Sequence, residues 1–233
     1  MSGGGSWQPF RGFSINTKKP AVTWGFIFAC VAVYGIDIVT SYWLQRTWSL
    51  GVLSWYGMRI NPLITAGQWW RLITPVFLHG SVPHLLFNCL AVYIWGRYVE
   101  ALYGRAKYAG ILLMAGFSGC VLGYAFSSHS SLGASGAVFG LFGAILAFRK
   151  YDRRLFNFIF GVQTLLYVGI NLAMGFFQPY IDILGHVGGL IGGYLAGRTL
   201  GMLIEKRMAP SRVLAGVTYA VLNAACIALG YFR

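Results

Sequence analysis

Residues 133–148 read GASGAVFGLFGAILAF, and residues 185–196 read GHVGGLIGGYLA. Both stretches are apolar and glycine-rich, and each carries one reactive side chain near its start, Ser135 and His186. Gly136 and Gly140, like Gly185, Gly189 and Gly193, recur at four-residue spacing. That spacing strips one face of a helix of its side chains and lets two backbones approach closely, as helices do in lipid. If the two bare faces meet, Ser135 and His186 come together. Taken singly, a serine beside glycine is as readily packing glue, and the glycines of the second stretch speak only of close contact. A histidine inside an apolar segment is costly enough to suggest a function.

The composition makes lipid the solvent. Of 233 residues, 57% are apolar and 10% are charged, where a soluble domain carries about 25% charged residues. The acidic residues are Asp37, Glu100, Asp152, Asp182 and Glu205. The net charge of +13 does not indicate a nucleic-acid partner, because the basic residues form small clusters between long apolar runs. Cys30, Cys89, Cys120 and Cys226 each sit within an apolar run without metal-ligand spacing. They read as free thiols, and no metal or other cofactor is expected. Residues 1–20 are Gly-rich, polar and basic, which reads as a short cytoplasmic tail rather than a cleavable signal.

A bilayer span needs about 20 mostly apolar residues. Seven segments qualify, near 22–44, 83–103, 107–127, 134–150, 155–175, 181–204 and 212–232. The fold expected is therefore an all-α polytopic membrane protein. With the N-terminus inside, Arg11, Lys18, Lys19, Arg97, Arg105, Lys107, Arg149, Lys150, Arg153, Arg154, Arg198, Lys206, Arg207 and Arg212 are all cytoplasmic. Only Arg46, Arg59, Arg71 and Arg233 remain outside, and this bias sets an N-in, C-out orientation. The long outer connection, about 45–82, carries Trp48, Trp55, Tyr56, Trp69 and Trp70, residue types that favour the membrane interface.

In that orientation the second, fourth and sixth segments all begin at the outer surface. His84, Asn88, Ser135 and His186 then share one depth just below it. A serine hydroxyl needs a base before it can attack, and histidine is the usual one. Attack on an amide builds an oxyanion, which needs fixed donors in a dry site. Ser135 stands at a helix N-terminus with free backbone N–H groups. His84 and Asn88, four apart on one helix face, add side-chain donors, unless they are an interhelical hydrogen-bond pair.

These stretches resemble the rhomboid family of intramembrane serine proteases. Gly133-Ala134-Ser135-Gly136 is similar to its Gly-x-Ser-Gly motif, and Gly185-His186-Val187-Gly188-Gly189 to its histidine-helix motif. His84-Leu85-Leu86-Phe87-Asn88 resembles its His-x-x-x-Asn, Trp70-Arg71 its Trp-Arg pair, and Glu100 an acidic position at the far end of the second helix. The likeness covers about 22–204 in the family's order. It implies a six-helix rhomboid-like core over 21–204, with 205–233 as a seventh C-terminal transmembrane helix, an arrangement similar to the six-plus-one form of part of the family. No cytosolic domain is read ahead of the core. The resemblance also implies a Ser135–His186 dyad cleaving transmembrane protein substrates, with His84, Asn88 and the Ser135 amide on the oxyanion. Gly133, Gly136, Phe139 and Gly189 support the site, and Phe176 and Phe177 form a cap or gate.

Asp182, one turn before His186, is expected to cap the sixth helix rather than orient the imidazole. Arg71 is expected to pin the long loop and His79 to brace it by hydrogen bonds. His129 reads as a solvated loop residue, and Asp37 has no assigned partner. A polar cavity should open outward between the second, fourth and sixth segments. The rival readings are a rhomboid-like binding factor without proteolysis, which the presence of both Ser135 and His186 disfavours, and a transporter, which the lack of an inverted repeat disfavours. A bacterial inner membrane is the expected location.

Overall fold

The computed structural model describes residues 17, 19–44, 51–178, 181–203 and 209–233. Arg11, Lys18, Arg46, Trp48, Pro179, Glu205, Lys206 and Arg207 lie outside the described residues, as does nearly all of the expected 1–20 tail. Among the described residues the regular structure is helical, with one isolated antiparallel bridge between Arg59 and Ser131.

Helix α1 is Ala21–Trp43, followed in the long connection to the next span by the short helices α2 (Val52–Gly57) and α3 (Asn61–Thr65). Helix α4 (Val82–Ala91) starts on Ser81, whose side chain accepts the His84 amide, with Pro83 in the first turn. It runs through a π-helical turn at Val92–Gly96 into α5 (Arg97–Tyr103). Then come α6 (Arg105–Phe126), α7 (Ser135–Tyr151), α8 (Arg153–Ile159), α9 (Gly161–Phe176), α10 (Ile183–Leu200) and α11 (Pro210–Phe232).

Helix α1, the Val82–Tyr103 unit, α6 and α11 are each long and apolar enough to cross a bilayer, and the bent α8–α9 pair makes a fifth. The segment expected as one span over 155–175 is therefore broken. Helices α8 and α9 meet at 73°, through Gly161 at φ +59°, a conformation open mainly to glycine. The basic residues Arg153 and Arg154 keep α8 at the surface while its Phe156 is buried. The 17-residue α7 and the glycine-rich α10 are not among the bilayer-length helices. They are enclosed instead, with α10 packed against α7, α6, α9 and α11. The chain is an all-α, polytopic membrane protein.

The bare faces do meet. A Cβ on Gly189 would collide with the Gly136 carbonyl, and one on Gly193 with the Gly140 carbonyl. On its other side α10 presents Gly188 and Gly192 to Ser118 of α6. The two helices that carry Ser135 and His186 thus touch backbone to backbone.

The described carboxylates all serve helix starts. Glu100 accepts the Val22 and Thr23 amides at 3.0 and 2.9 Å, capping α1 from a distant helix. Asp37 is buried and accepts the Leu53 amide at 2.6 Å, the Ser54 amide at 3.2 Å and the Ser54 hydroxyl at 2.6 Å, so it docks α2 onto α1. Asp152 caps α8 through Leu155 and Asp182 caps α10 through Gly185. Arg71 is also buried, and its guanidinium donates to the Trp55 and Met58 carbonyls and to Gln68. It pins the long outer loop, as expected.

Two outcomes follow. Gly189→Ala should lower stability by about 1–3 kcal/mol through overpacking, whereas Gly169→Ala, with open space around the added methyl, should change it little; thermal unfolding in detergent compares them. Asp37→Ala should cost α2 about 1–3 kcal/mol of local stability by orphaning two buried amides, seen as faster amide exchange at Leu53 and Ser54 with α6 unaffected.

Candidate active site

The chain reaches Ser135 along a segment fixed by the outer loop. Arg59 and Ser131 exchange backbone hydrogen bonds of 2.8 and 3.1 Å, and the Gly133 amide donates to the Pro75 carbonyl at 2.9 Å. Gly133 has φ +130°, and a Cβ there would stand 2.7 Å from His84 Nε2. Glycine is required at this position both for its backbone and for the imidazole beside it. Ser135 then opens α7, where the first amides have no intrahelical acceptor and the helix dipole favours negative charge.

His186 lies in the first turns of α10, and its backbone amide donates to the Asp182 carbonyl at 3.1 Å. Its imidazole is buried and stacks on Phe139 with ring centroids 4.3 Å apart and planes 16° apart. Nε2 stands 2.9 Å from Ser135 Oγ. Nδ1 has no hydrogen-bond partner among the described residues. Asp182 is engaged elsewhere: Oδ1 accepts the Gly185 amide at 3.0 Å, and Oδ2 accepts Arg59 at 2.9 Å. It stands as a helix cap and ion-pair partner, not as a third member bonded to the imidazole.

His84 and Asn88 lie on α4 facing this pair. Asn88 Nδ2 donates to the His84 carbonyl at 3.0 Å, which leaves its second N–H for another acceptor. Asn88 is buried, and so is His79. His79 meets the His84 ring edge to face at 5.2 Å, so its contact with the site runs through ring packing. Burial pushes the His79 imidazole down to about 4, with His84 adding to the shift, so it is neutral at physiological pH.

Ser135, His186, Phe139 and Asn88 line a groove of about 340 Å³. Its other walls are Phe87, Leu90, Ile94 and Trp95 on the α4–π segment and Tyr167 and Asn171 on α9. The cavity expected between the second, fourth and sixth segments is corrected accordingly: α9, of the fifth, forms one wall, and the mouth is apolar. Phe87, Leu90 and Ile94 are exposed there. Phe176 and Phe177 are exposed and do not line this groove. Phe176 borders a separate cavity of about 450 Å³ together with Asp182 and Gln178. Gly136 and Gly189 lie at the backbone contact between α7 and α10.

A hydroxyl within hydrogen-bond distance of an imidazole is the geometry of an activated nucleophile. Unpaired amides at a helix start are suited to an oxyanion. Among the described residues no group of three or more His, Cys, Asp or Glu is arranged to hold a metal ion. Reading from sequence gave Arg59 no role beyond counting it among the four basic residues expected outside, and it is fully buried. It also missed Asn171 and Tyr167. The one available signal for Arg59 was Asp182, an outer-face acid in need of a cation, but nothing local chooses among four arginines so distant in the chain.

The family description "Rhomboid domain" matches residues 66–203. The rhomboid protease GluP of Bacillus subtilis is 43% identical over 147 residues, 63% of this chain and 29% of that protein. RHOMBOID-like protein 6, mitochondrial, of Arabidopsis thaliana is 35% identical over 154 residues, 64% of this chain and 47% of that protein. Rhomboid-like protease 1 of Toxoplasma gondii is 33% identical over 167 residues, 67% of this chain and 54% of that protein. The chain spans about half or less of the length of these relatives. The family match covers more than half of the chain, and the chain belongs to the rhomboid family.

Proposed function

We propose that this protein is an intramembrane serine endopeptidase in which Ser135 is the nucleophile and His186 the general base. The observation that carries the reading is the 2.9 Å separation of Ser135 Oγ and His186 Nε2. As Oγ attacks the scissile carbonyl carbon, its proton passes to Nε2. The Ser135 amide, His84 and Asn88 take the oxyanion. Collapse breaks the C–N bond, and His186 returns the proton to the leaving amine. Water, deprotonated by His186, then releases the acyl chain from Ser135. Phe139 holds the imidazole plane by stacking, and Gly133 admits the His84 ring.

Substrates are transmembrane proteins, whose spans come to the dyad along the apolar groove between the α4–π segment and α9. Residues 21–204 form a six-helix core, in which α7 and α10 are the enclosed fourth and sixth members, and 205–233 supplies the seventh helix. The N-terminus is cytoplasmic and the site opens toward the outer side of a bacterial inner membrane.

Ser135→Ala and His186→Ala should each abolish cleavage of a fluorogenic transmembrane substrate and labelling by a fluorophosphonate, while the unfolding midpoint stays near that of the parent. Normal turnover by either variant would remove the dyad assignment. Asn88→Ala should slow cleavage by roughly 10–1000-fold if its amide stabilises the oxyanion; an unchanged rate would return Asn88 to a packing role.

A further inference from the structure

Arg59 is fully buried, and its guanidinium reaches four acceptors. Nε donates to Ser131 Oγ at 2.9 Å, Nη1 to Asn61 Oδ1 at 2.9 Å, and Nη2 to the His129 carbonyl at 2.8 Å and to Asp182 Oδ2 at 2.9 Å. These acceptors belong to three separate stretches of chain: the outer loop, the 127–134 segment that leads into α7, and the start of α10. Its backbone adds two more bonds to Ser131. Ser131 precedes Ser135 by four residues, and Asp182 precedes His186 by four. Ser131, Asp182, Ser135 and His186 also line one small cavity of about 30 Å³. Gly123 of α6 makes room for the cation, since a Cβ there would stand 2.7 Å from Arg59 Cζ.

A buried ion pair is a poor device for stability alone, because desolvation offsets most of its Coulombic gain. It is a good device for fixing geometry, because the planar guanidinium presents five donors in a rigid fork. Such a device has a task here. The glycine faces of α7 and α10 bring the helices close, but bare backbones have no side chains to interlock and oppose little resistance to sliding or rotation. The Ser135–His186 distance therefore needs a register lock at the outer end.

We propose that Arg59 is a positioning residue for the dyad: by clamping the Ser131 segment to Asp182 it fixes the start of α7 against the start of α10, and so holds Ser135 Oγ at His186 Nε2. It touches neither side chain. The inference rests on the protease reading above.

The test uses the full chain in liposomes with a fluorogenic transmembrane substrate, and Ser135→Ala as the blank. A misplacement of about 1 Å can cost 10²-fold in rate, so Arg59→Met should lower kcat by about that factor with KM within threefold. Arg59→Lys, which keeps the charge and part of the donor set, should recover at least tenfold of the loss. Asp182→Asn, which keeps a capping side chain, should lose less than Arg59→Met, and the double variant should lose no more than Arg59→Met alone. Gly123→Ala leaves both ions in place and displaces the guanidinium; it should lower kcat with an unfolding midpoint near that of the parent. If Arg59→Met does not fold, Gly123→Ala decides by the same criterion. Parental kcat in folded Arg59→Met or in Gly123→Ala overturns the proposal, as does a loss that disappears once rates are expressed per folded molecule. Failure of the parent itself to cleave or to take a fluorophosphonate would instead remove the protease reading, a separable result.

Discussion

Two helices touch here through their backbones, and the rest of the bundle is arranged around that contact. In lipid there is no hydrophobic force to drive helices together, so association depends on van der Waals contact and weak polar contacts at close range. The carbonyls of Gly136 and Gly140 lie where any side chain on Gly189 or Gly193 would have to go. Helices that meet in this way have little apolar surface of their own to offer lipid. They are accordingly enclosed, with α6 and α11 flanking α10 and with α1 and α11 among the most exposed of the bilayer-length helices. Their starts fall at one depth because both enter from the same side, and Ser135 and His186 are the residues standing at those starts.

Charge is treated as sparingly as volume. Each described carboxylate takes amides at the start of a helix, and two of them do so across the fold, Glu100 for α1 and Asp37 for α2. At its other end α10 is met by cations: Lys107 donates to the Gly201 carbonyl at 2.9 Å and Arg212 to the Thr199 carbonyl at 3.1 Å. With Asp182 at its start, α10 carries the sign of charge its dipole favours at both ends. The same use of acids explains why His186 has none bonded to it. Asp182 stands one turn away, but both of its oxygens already serve backbone and guanidinium.

Much of this was legible in the sequence because it depends on local periodicity. Four-residue glycine spacing foretold the α7–α10 face, apolar runs foretold the helices to within a few residues, and His84 with Asn88 foretold a shared face on α4. What was not legible depends on long-range pairing or on backbone conformation. Asp37 had no visible partner because the amides it caps belong to a loop helix too short to show a period. Arg59 and Asp182 lie 123 residues apart, and nothing in the neighbourhood of Arg59 announces burial. The bend between α8 and α9 hangs on Gly161 in a stretch whose hydropathy is continuous, and hydropathy does not register φ. The role of α9 as a groove wall followed from that bend.

The contacts divide the bundle into parts of unequal stiffness. Helices α6, α7 and α10 meet through close backbone contacts, and Arg59 ties the segment before α7 to the start of α10. Helix α9 is held differently. Its side toward the groove rests on aromatic rings, Tyr167 against Trp95 at 5.8 Å and against Phe142 at 5.4 Å, and much of the helix is exposed on its other faces. Few buried contacts and an exposed surface place it at the low-stability end of the fold. The ring contacts can slide without breaking a hydrogen bond, whereas the dyad cannot shift without disturbing the glycine faces or the Arg59 clamp. The α9 wall of the groove thus rests on ring contacts, whereas Ser135 and His186 stand on helices joined backbone to backbone.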